Sequence, residues 1–354
     1  MDIPHHRLRN QHISGAAFEK PGEAVKWMGA VQAQDYLGAL WAVGLRTENA
    51  TREVIEKAIA EKTIVRTWPM RRTLHFVAAE DARWMLELLT PRIVAGSAGR
   101  LHRHLGLDEA TFARSKRLFI RALEGGRQLA RGAMYGLLER ANISTEGGRG
   151  LHILCRLAQD GVICFGAREG KQPTFALLEE WAPGARTMAR DEALAELAGR
   201  YFTSHGPAKL QDFVWWSGLT VADARAAIKM AGPRIAEETI DGQTYWLPSS
   251  APPVKRGALA SYLLPPFDEY TVAYKDRSAV LDPSYTRRIN PGNGVFSPTI
   301  VMDGRIAGIW KREIRKGELI ISPEPFSRLT APEMRALAAA ASRYGRFIGA
   351  PLAL

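Results

Sequence analysis

Two short segments carry the side chains best suited to chemistry. Residues 32–35, Gln-Ala-Gln-Asp, place two neutral amides and a carboxylate at the expected end of an otherwise apolar helix. Further along, Arg71, Arg72 and His75 fall in an expected strand-turn-strand hairpin. An amide accepts a hydrogen bond with its oxygen and donates with its nitrogen, so it can hold a water molecule. Such groups together with cations indicate a site for a nucleic acid.

The basic residues of the hairpin are candidates for contacts with phosphate. If they alternate along a strand, Arg71 and His75 share one face and Arg72 lies on the other. The alternatives are a solvated hairpin for the arginines and a hydrogen-bonded structural role for His75. Lys311 and Arg312 are further candidates, because they follow a tight turn predicted at Asp-Gly, residues 303–304. Each cation on a phosphate would add affinity that depends on salt and not on sequence.

Composition sets limits on the class of protein. The 354 residues are 46% hydrophobic, and 48 Lys and Arg against 37 Asp and Glu give a formal charge of +11, which favours polyanionic partners. Cys155 and Cys164 form no metal-binding or disulfide pattern and are expected to be buried thiols, so we predict no metal and no cofactor. No apolar run is long enough to span a membrane and no signal segment is evident. A cytoplasmic, nucleoid-associated protein without membrane partners is expected.

The pattern of elements predicts helices followed by hairpins, repeated along the chain. Helices are predicted over 21–31, 50–62, from 108 beyond 118, and over 130–140, 150–160, 193–204, 208–217 and 221–230, and hairpin strands within 64–77 and over 162–165, 174–177, 237–240 and 244–247. Asp241-Gly242 is a strong signal for a tight turn. Three helices with a two-stranded wing are typical of the winged-helix unit.

A different pattern follows a linker over 248–253 that is rich in proline and small residues. Short strands are predicted over 260–264, 270–274, 295–302, 305–310 and 318–322, with a last helix over 332–344. The fold class is therefore α+β: three tandem winged-helix units over 1–100, 101–185 and 186–250, and a small β-barrel-like subdomain over 255–354.

Several blocks of the sequence resemble a known family. They are VQAQDY, RTWPMRRTLHFVAAEDARWML, YFTSHGPAKLQDFVWWSGLTVADA, LLPPFDEYTVAYKDR and DGRIAGIWKR. In this order they are similar to the winged-helix DNA-binding family that includes the bacterial interstrand-crosslink glycosylases. The resemblance covers nearly the whole chain and implies a C-shaped, positively lined channel around duplex DNA. The family's catalytic motif is Gln-apolar-Gln or Gln-apolar-Asp, and this chain has the first form, that of the azinomycin-resistance type.

The resemblance implies catalytic roles for Gln32 and Gln34, with Asp35 and His75 as candidates for support. A purine alkylated at N7 is cationic and leaves as a neutral base, so weak groups that hold a water molecule can suffice. Gln32 and Gln34 could do this, while Asp35 could stabilise the developing sugar cation. The expected function is that of a monofunctional DNA glycosylase acting, as a monomer, on N7-alkylated, bulky or crosslinked purines in double-stranded DNA.

The alternative from another class is a nonenzymatic winged-helix DNA-binding protein or transcription regulator. A regulator needs a recognition helix with base-reading side chains such as Arg, Asn and Gln. The predicted helix over 208–217 instead contains Phe213, Trp215 and Trp216, which is typical of a core element. A hydrolase of acidic substrates is not favoured, because the chain has neither a Gly-x-Ser-x-Gly elbow nor a credible nucleophile-base pair.

Overall fold

The computed structural model describes residues 1–250, 257–292 and 294–352. Residues 251–253 of the linker predicted over 248–253 lie outside the described residues. The helices are α1 Ile3–Asn10, α2 Pro21–Met28, α3 Tyr36–Gly44, α4 Arg52–Ala60, α5 Ala82–Leu105, α6 Glu109–Leu123, α7 Arg131–Arg140, α8 Arg149–Gln159, α9 Leu178–Trp181, α10 Arg190–His205, α11 Leu210–Ser217, α12 Val221–Ala231, α13 Glu269–Val272, α14 Thr286–Ile289 and α15 Ala331–Ile348. The strands are β1 Val31–Gln32, β2 Ile64–Met70, β3 Thr73–Ala78, β4 Leu129–Ala130, β5 Ile163–Phe165, β6 Thr174–Leu177, β7 Ile235–Ile240, β8 Gln243–Pro248, β9 Ser261–Leu264, β10 Thr299–Met302, β11 Arg305–Arg315 and β12 Glu318–Pro325.

The chain divides into two compact units. The first comprises Met1–Ile55 with Leu194–Leu354, and the second comprises Glu56–Ala193. The first unit contains the Gln-Ala-Gln-Asp segment, and the second contains the Arg71 hairpin. The mixed α+β class is confirmed, whereas the division into three winged-helix units and a C-terminal subdomain stays a prediction.

The second unit is built on antiparallel strands covered by helices. Its strands lie in the order β3-β2-β5-β6-β4, and β2 joins the two hairpins where Arg66 pairs with Phe165. Aromatic and aliphatic side chains from α6, α7 and α8 form a buried core with this sheet, including Phe119, Leu138 and Leu154. Asp108 caps α6 as predicted, because its carboxylate accepts a hydrogen bond from the backbone N–H of Thr111.

The β2–β3 hairpin differs from the predicted alternation. Arg71 and Arg72 have φ angles of 51° and 59°, so they are the two turn residues and do not belong to a strand. Positive φ at both central positions produces the tight turn whose twist matches that of the flanking strands. The prediction that Arg71, Arg72 and His75 alternate along one strand is therefore wrong.

The first unit contains one hairpin and one larger sheet among its described residues. The hairpin β7–β8 turns at Asp241-Gly242, and β10–β11 turns at Asp303-Gly304, both as predicted. Strands β12-β11-β10-β9 form an open antiparallel sheet, which corrects the prediction of a barrel-like subdomain. The Tyr344 ring of α15 packs at 5.1 Å from both Trp41 and Trp310, measured between ring centroids.

Two further predictions for the first unit are wrong for local reasons. The helix α2 ends at Met28 and does not continue to residue 31, because Gly29 adopts a φ angle of 74° that reverses the chain. The Gln-Ala-Gln segment consequently lies in an extended connection between α2 and α3. The strand predicted over 270–274 is the short helix α13, since the Asp268 carboxylate accepts from the Tyr270 N–H and caps it.

Candidate functional site

The two glutamines of the motif differ in exposure. Gln32 is 7% exposed, whereas Gln34 is exposed, and Ala33 between them is fully buried. The burial of Ala33 and Gln32 fixes this segment against the interior of the first unit, while Gln34 faces solvent. Asp35 is half-buried at the residue that precedes α3.

A buried carboxylate holds the first glutamine in place. The Gln32 backbone N–H donates to Oε1 of Glu269 at 2.8 Å, and the Trp216 indole N–H donates to Oε2 at 3.0 Å. Glu269 and Trp216 are fully buried. A hydrogen bond in a low-dielectric interior is electrostatically stronger than one in water, so Glu269 fixes the backbone from which the motif begins.

A histidine adjoins the same carboxylate. Nε2 of His205 lies 3.7 Å from Oε2 of Glu269, which is longer than a hydrogen bond but close enough for electrostatic attraction. Its Nδ1 lies 2.8 Å from the Ser204 hydroxyl oxygen, and its ring stacks on Tyr201 at 4.8 Å between centroids. Burial lowers the pKa of His205 below its usual 6.5, although Glu269 partly opposes this shift. The imidazole is therefore neutral at neutral pH.

A buried ion pair holds the residue next to Glu269. The Arg46 guanidinium donates to both carboxylate oxygens of Asp268, at 2.9 and 3.0 Å, and both side chains are fully buried. Arg46 also donates to Oε1 of Gln11, whose Nε2 donates to the Tyr274 hydroxyl. The Tyr274 hydroxyl donates to the carbonyl oxygen of His205 at 2.7 Å. This network connects α1, α3 and α10 to the start of α13, so removal of one charge would leave the other buried without its partner.

In the second unit the structure brings Arg71 and His75 together. His75 is fully buried on β3, with Nδ1 at 3.0 Å from the Thr73 carbonyl oxygen and Nε2 at 3.3 Å from an Arg71 nitrogen. Arg71 is half-buried and Arg72 is exposed. His75 therefore supports the turn, and Arg72 presents its charge to solvent.

The basic pair on β11 is already engaged by neighbours. Nζ of Lys311 lies 2.6 Å from Oε1 of Glu324, although the Lys311 side chain is 69% exposed. The Arg312 guanidinium donates to the Tyr344 hydroxyl, and burial lowers the pKa of Arg312. Arg312 thus contributes to packing at α15, whereas Lys311 retains a more accessible charge.

His205 and Glu269 fall within two of the sequence blocks that carry the family resemblance, but sequence reasoning missed their proximity. It gave no role to Arg46 or Gln11, and it assigned Trp216 to the core without its hydrogen bond to Glu269, because these partners are far away in the chain. Among the described residues, no cluster of three or more His, Cys, Asp or Glu side chains is arranged to hold a metal ion. No described helix has both the length and the apolar character needed to cross a membrane.

Comparison with known proteins shows the family to which the chain belongs. Residues 25–347 match the model of the family described as DNA glycosylase AlkZ-like, so the chain belongs to the AlkZ-like DNA glycosylases. It is a DNA glycosylase, and the resemblance based on the sequence blocks is confirmed.

Two comparisons extend over almost the full length. The chain is 26% identical over 336 residues to an interstrand DNA cross-link repair glycosylase of Streptomyces sahachiroi, which covers 90% of this chain and 89% of that protein. The solved structure of the Streptomyces sahachiroi DNA glycosylase AlkZ superposes with a TM-score of 0.79 at 23% identity, covering 99% of this chain and 97% of the other. This structural likeness confirms the fold.

Proposed function

We propose that the chain hydrolyses the N-glycosidic bond of N7-alkylated purines in duplex DNA, including bulky or crosslinked adducts, and leaves an abasic site. The observation that carries the proposal is the Gln-Ala-Gln segment held at the Gln32 backbone by buried Glu269. The cross-link named for the Streptomyces relative supports the bulky class of adduct. The same name favours repair over transcription regulation.

The reaction follows from the charge on the lesion. The oxygen of a water molecule attacks C1′, the bond from C1′ to N9 breaks, and its electron pair neutralises the cationic purine. The water proton passes to solvent, and the base leaves without a general acid. Gln32 and Gln34 orient the water through their amide groups, which do not need to change protonation state. Asp35 supplies negative charge near the developing sugar cation.

Contacts with the DNA backbone are proposed for Arg71, Arg72, Lys311 and Arg312. Arg72 is the best placed because it is exposed at a hairpin turn. Lys311 must exchange Glu324 for phosphate, and Arg312 would have to leave the Tyr344 hydroxyl. We also propose, from the hairpins β2–β3, β5–β6 and β7–β8 that follow helices, three winged-helix units around the duplex.

Base release from a duplex with a single N7-methylguanine tests the proposed mechanism. Wild type, Gln32→Ala and Gln34→Ala are compared under excess enzyme, with alkali cleavage to reveal abasic sites. The matched control is Gln211→Ala, which changes an exposed glutamine on α11. We expect one or both motif variants to lose at least about 100-fold in rate while duplex binding is retained.

Two results would count against the proposal. Unchanged release by both motif variants would remove the glutamines from the mechanism. If the wild type released neither methylated nor bulkier bases but bound duplex in a salt-dependent way, the nonenzymatic DNA-binding alternative would be favoured for this chain.

A further inference from the structure

A cavity of about 300 Å³ lies beside Asp35 in the first unit. Its walls are mainly apolar and include Pro266, Pro298 and Ile309, while the carboxylate of Asp35 and the cations of Lys311 and Arg312 contribute charge. This volume is at the lower end of the range for ligand pockets, which suits a chemical group better than a large free ligand. Because Asp35 directly follows Gln34, the cavity begins one residue from the proposed catalytic motif.

The cavity exists because the sheet stops at prolines. Pro265 and Pro266 follow β9 and Pro298 precedes β10, and none of them can donate a backbone hydrogen bond to extend the sheet. The neighbouring indoles are fixed: the Trp41 N–H donates to the carbonyl oxygen of Leu263 at 2.7 Å, and Trp310 binds the next carbonyl at 2.8 Å. Two aromatic side chains of the cavity wall are therefore held in place by the backbone of β9.

The Asp35 carboxylate is turned away from its usual helix-capping role. Asp35 is the N-cap residue of α3, yet in the described structure its side chain makes no capping hydrogen bond. It lies over Gly38, where an added Cβ would be 2.8 Å from Oδ2 of Asp35 and 3.3 Å from Cδ of Pro266. The absence of a side chain at Gly38 thus gives the carboxylate its place at the edge of the cavity.

We propose that this cavity receives the apolar substituent carried at N7 of a bulky adduct, with Asp35 facing the cationic purine. The inference rests on the proposed function and specifies which lesions that site can accept. An apolar substituent gains free energy by leaving water for the walls formed by Pro266, Pro298 and Ile309. A purine alkylated at N7 carries the positive charge that a half-buried carboxylate attracts. A methyl lesion has no group large enough to occupy the cavity.

Filling the cavity tests the proposal. Ile309→Trp adds volume from β11, and Ser297→Phe adds volume from the segment that precedes β10, so one variant can report if the other does not fold. Ile321→Trp, at a half-exposed position on the adjacent strand β12, is the matched control. Each variant is first checked for cooperative thermal unfolding, and single-turnover release is then measured from duplexes carrying either N7-methylguanine or N7-benzylguanine.

The two substrates separate the possible results. We expect the cavity-filling variants to release N7-benzylguanine at least about tenfold more slowly than wild type, with N7-methylguanine release within about twofold. Equal losses on both lesions would overturn the proposal, because the cavity would then hold the purine itself. Unchanged release of both lesions would also overturn it. If wild type released neither base, the proposed function would fail as well, which distinguishes that failure from a failure confined to the cavity.

Discussion

Replacing Glu269 by glutamine tests whether the buried network controls the motif. The carboxylate accepts from the Gln32 backbone N–H at one oxygen and from the Trp216 indole N–H at the other. A glutamine has the same size but only one acceptor oxygen, so its NH₂ group must face one of these donors. Loss of one buried hydrogen bond to a charged acceptor costs about 1.5–3 kcal/mol. The melting temperature should therefore fall by roughly 3–12 °C.

The same substitution should slow chemistry more than it weakens binding. If the Gln32 segment shifts by even about 1 Å, positioning of the water is lost, and we expect single-turnover release of N7-methylguanine to fall by about 10- to 100-fold. The duplex dissociation constant should stay within about twofold, because Glu269 is buried and cannot touch phosphate. Glu192→Gln, at an exposed position on α10, is the control for loss of one negative charge.

Two outcomes for Glu269→Gln would contradict the proposed link between this carboxylate and the Gln32 segment. If Glu269→Gln melts several degrees lower but releases the base at the wild-type rate, the carboxylate stabilises the fold without positioning Gln32. If its release rate and its duplex affinity decline in equal proportion, the substitution has damaged the DNA-binding surface. Either result would refute the link between Glu269 and the motif.

Two further predictions concern pH and salt. Burial lowers the pKa of His205 in the folded chain. Below about pH 6.5 the unfolded chain therefore binds a proton that the folded chain does not. The free energy of unfolding should decrease as the pH is lowered from about 6.5 towards the pKa of His205 in the folded chain. Urea unfolding between pH 5 and 8 should show this decline, and His205→Gln should make it shallower; an equally steep decline would exclude His205 as its source. Arg72 is exposed at its turn, so Arg72→Ala should reduce the slope of log binding constant against log salt concentration by about one. Titration of fluorescent duplex at several salt concentrations measures that slope, and an unchanged value would remove Arg72 from the interface.

Elements specified by neighbouring residues were predictable from the sequence. Asp241-Gly242 and Asp303-Gly304 both form hairpin turns, and Asp108 caps α6, because each of these signals acts over a few residues. The Arg71-Arg72 turn was missed since neither residue belongs to the types that favour positive φ. The sequence predicted a strand where α13 lies, because Tyr270, Thr271 and Val272 are residue types that favour strands. The helix-capping carboxylate of Asp268 was the only signal against that prediction.

The network that holds the site depends on contacts that no local pattern encodes. The Gln32 backbone and Glu269 are 237 positions apart, and Arg46 and Asp268 are 222 apart. A single sequence does not show whether an arginine is buried or exposed. The burial of Arg46 becomes evident only when α1, α3 and α13 pack together. The Gln-Ala-Gln segment was selected from a family resemblance and not from periodicity, and its catalytic role stays a prediction.

The hydrogen bonds of Glu269 bear on what drives the departure of the base. A general acid would have to carry a proton and deliver it to the purine, whereas both carboxylate oxygens of Glu269 already accept hydrogen bonds, from the Gln32 backbone N–H and the Trp216 indole N–H. Glu269 is thus suited to hold the backbone and unsuited to protonate a leaving group. Since a neutral amide at Gln32 or Gln34 cannot supply that proton either, the proposed mechanism relies on charge already on the lesion to drive departure of the base. This reasoning confines the proposed chemistry to purines made cationic by alkylation, whatever the size of the substituent.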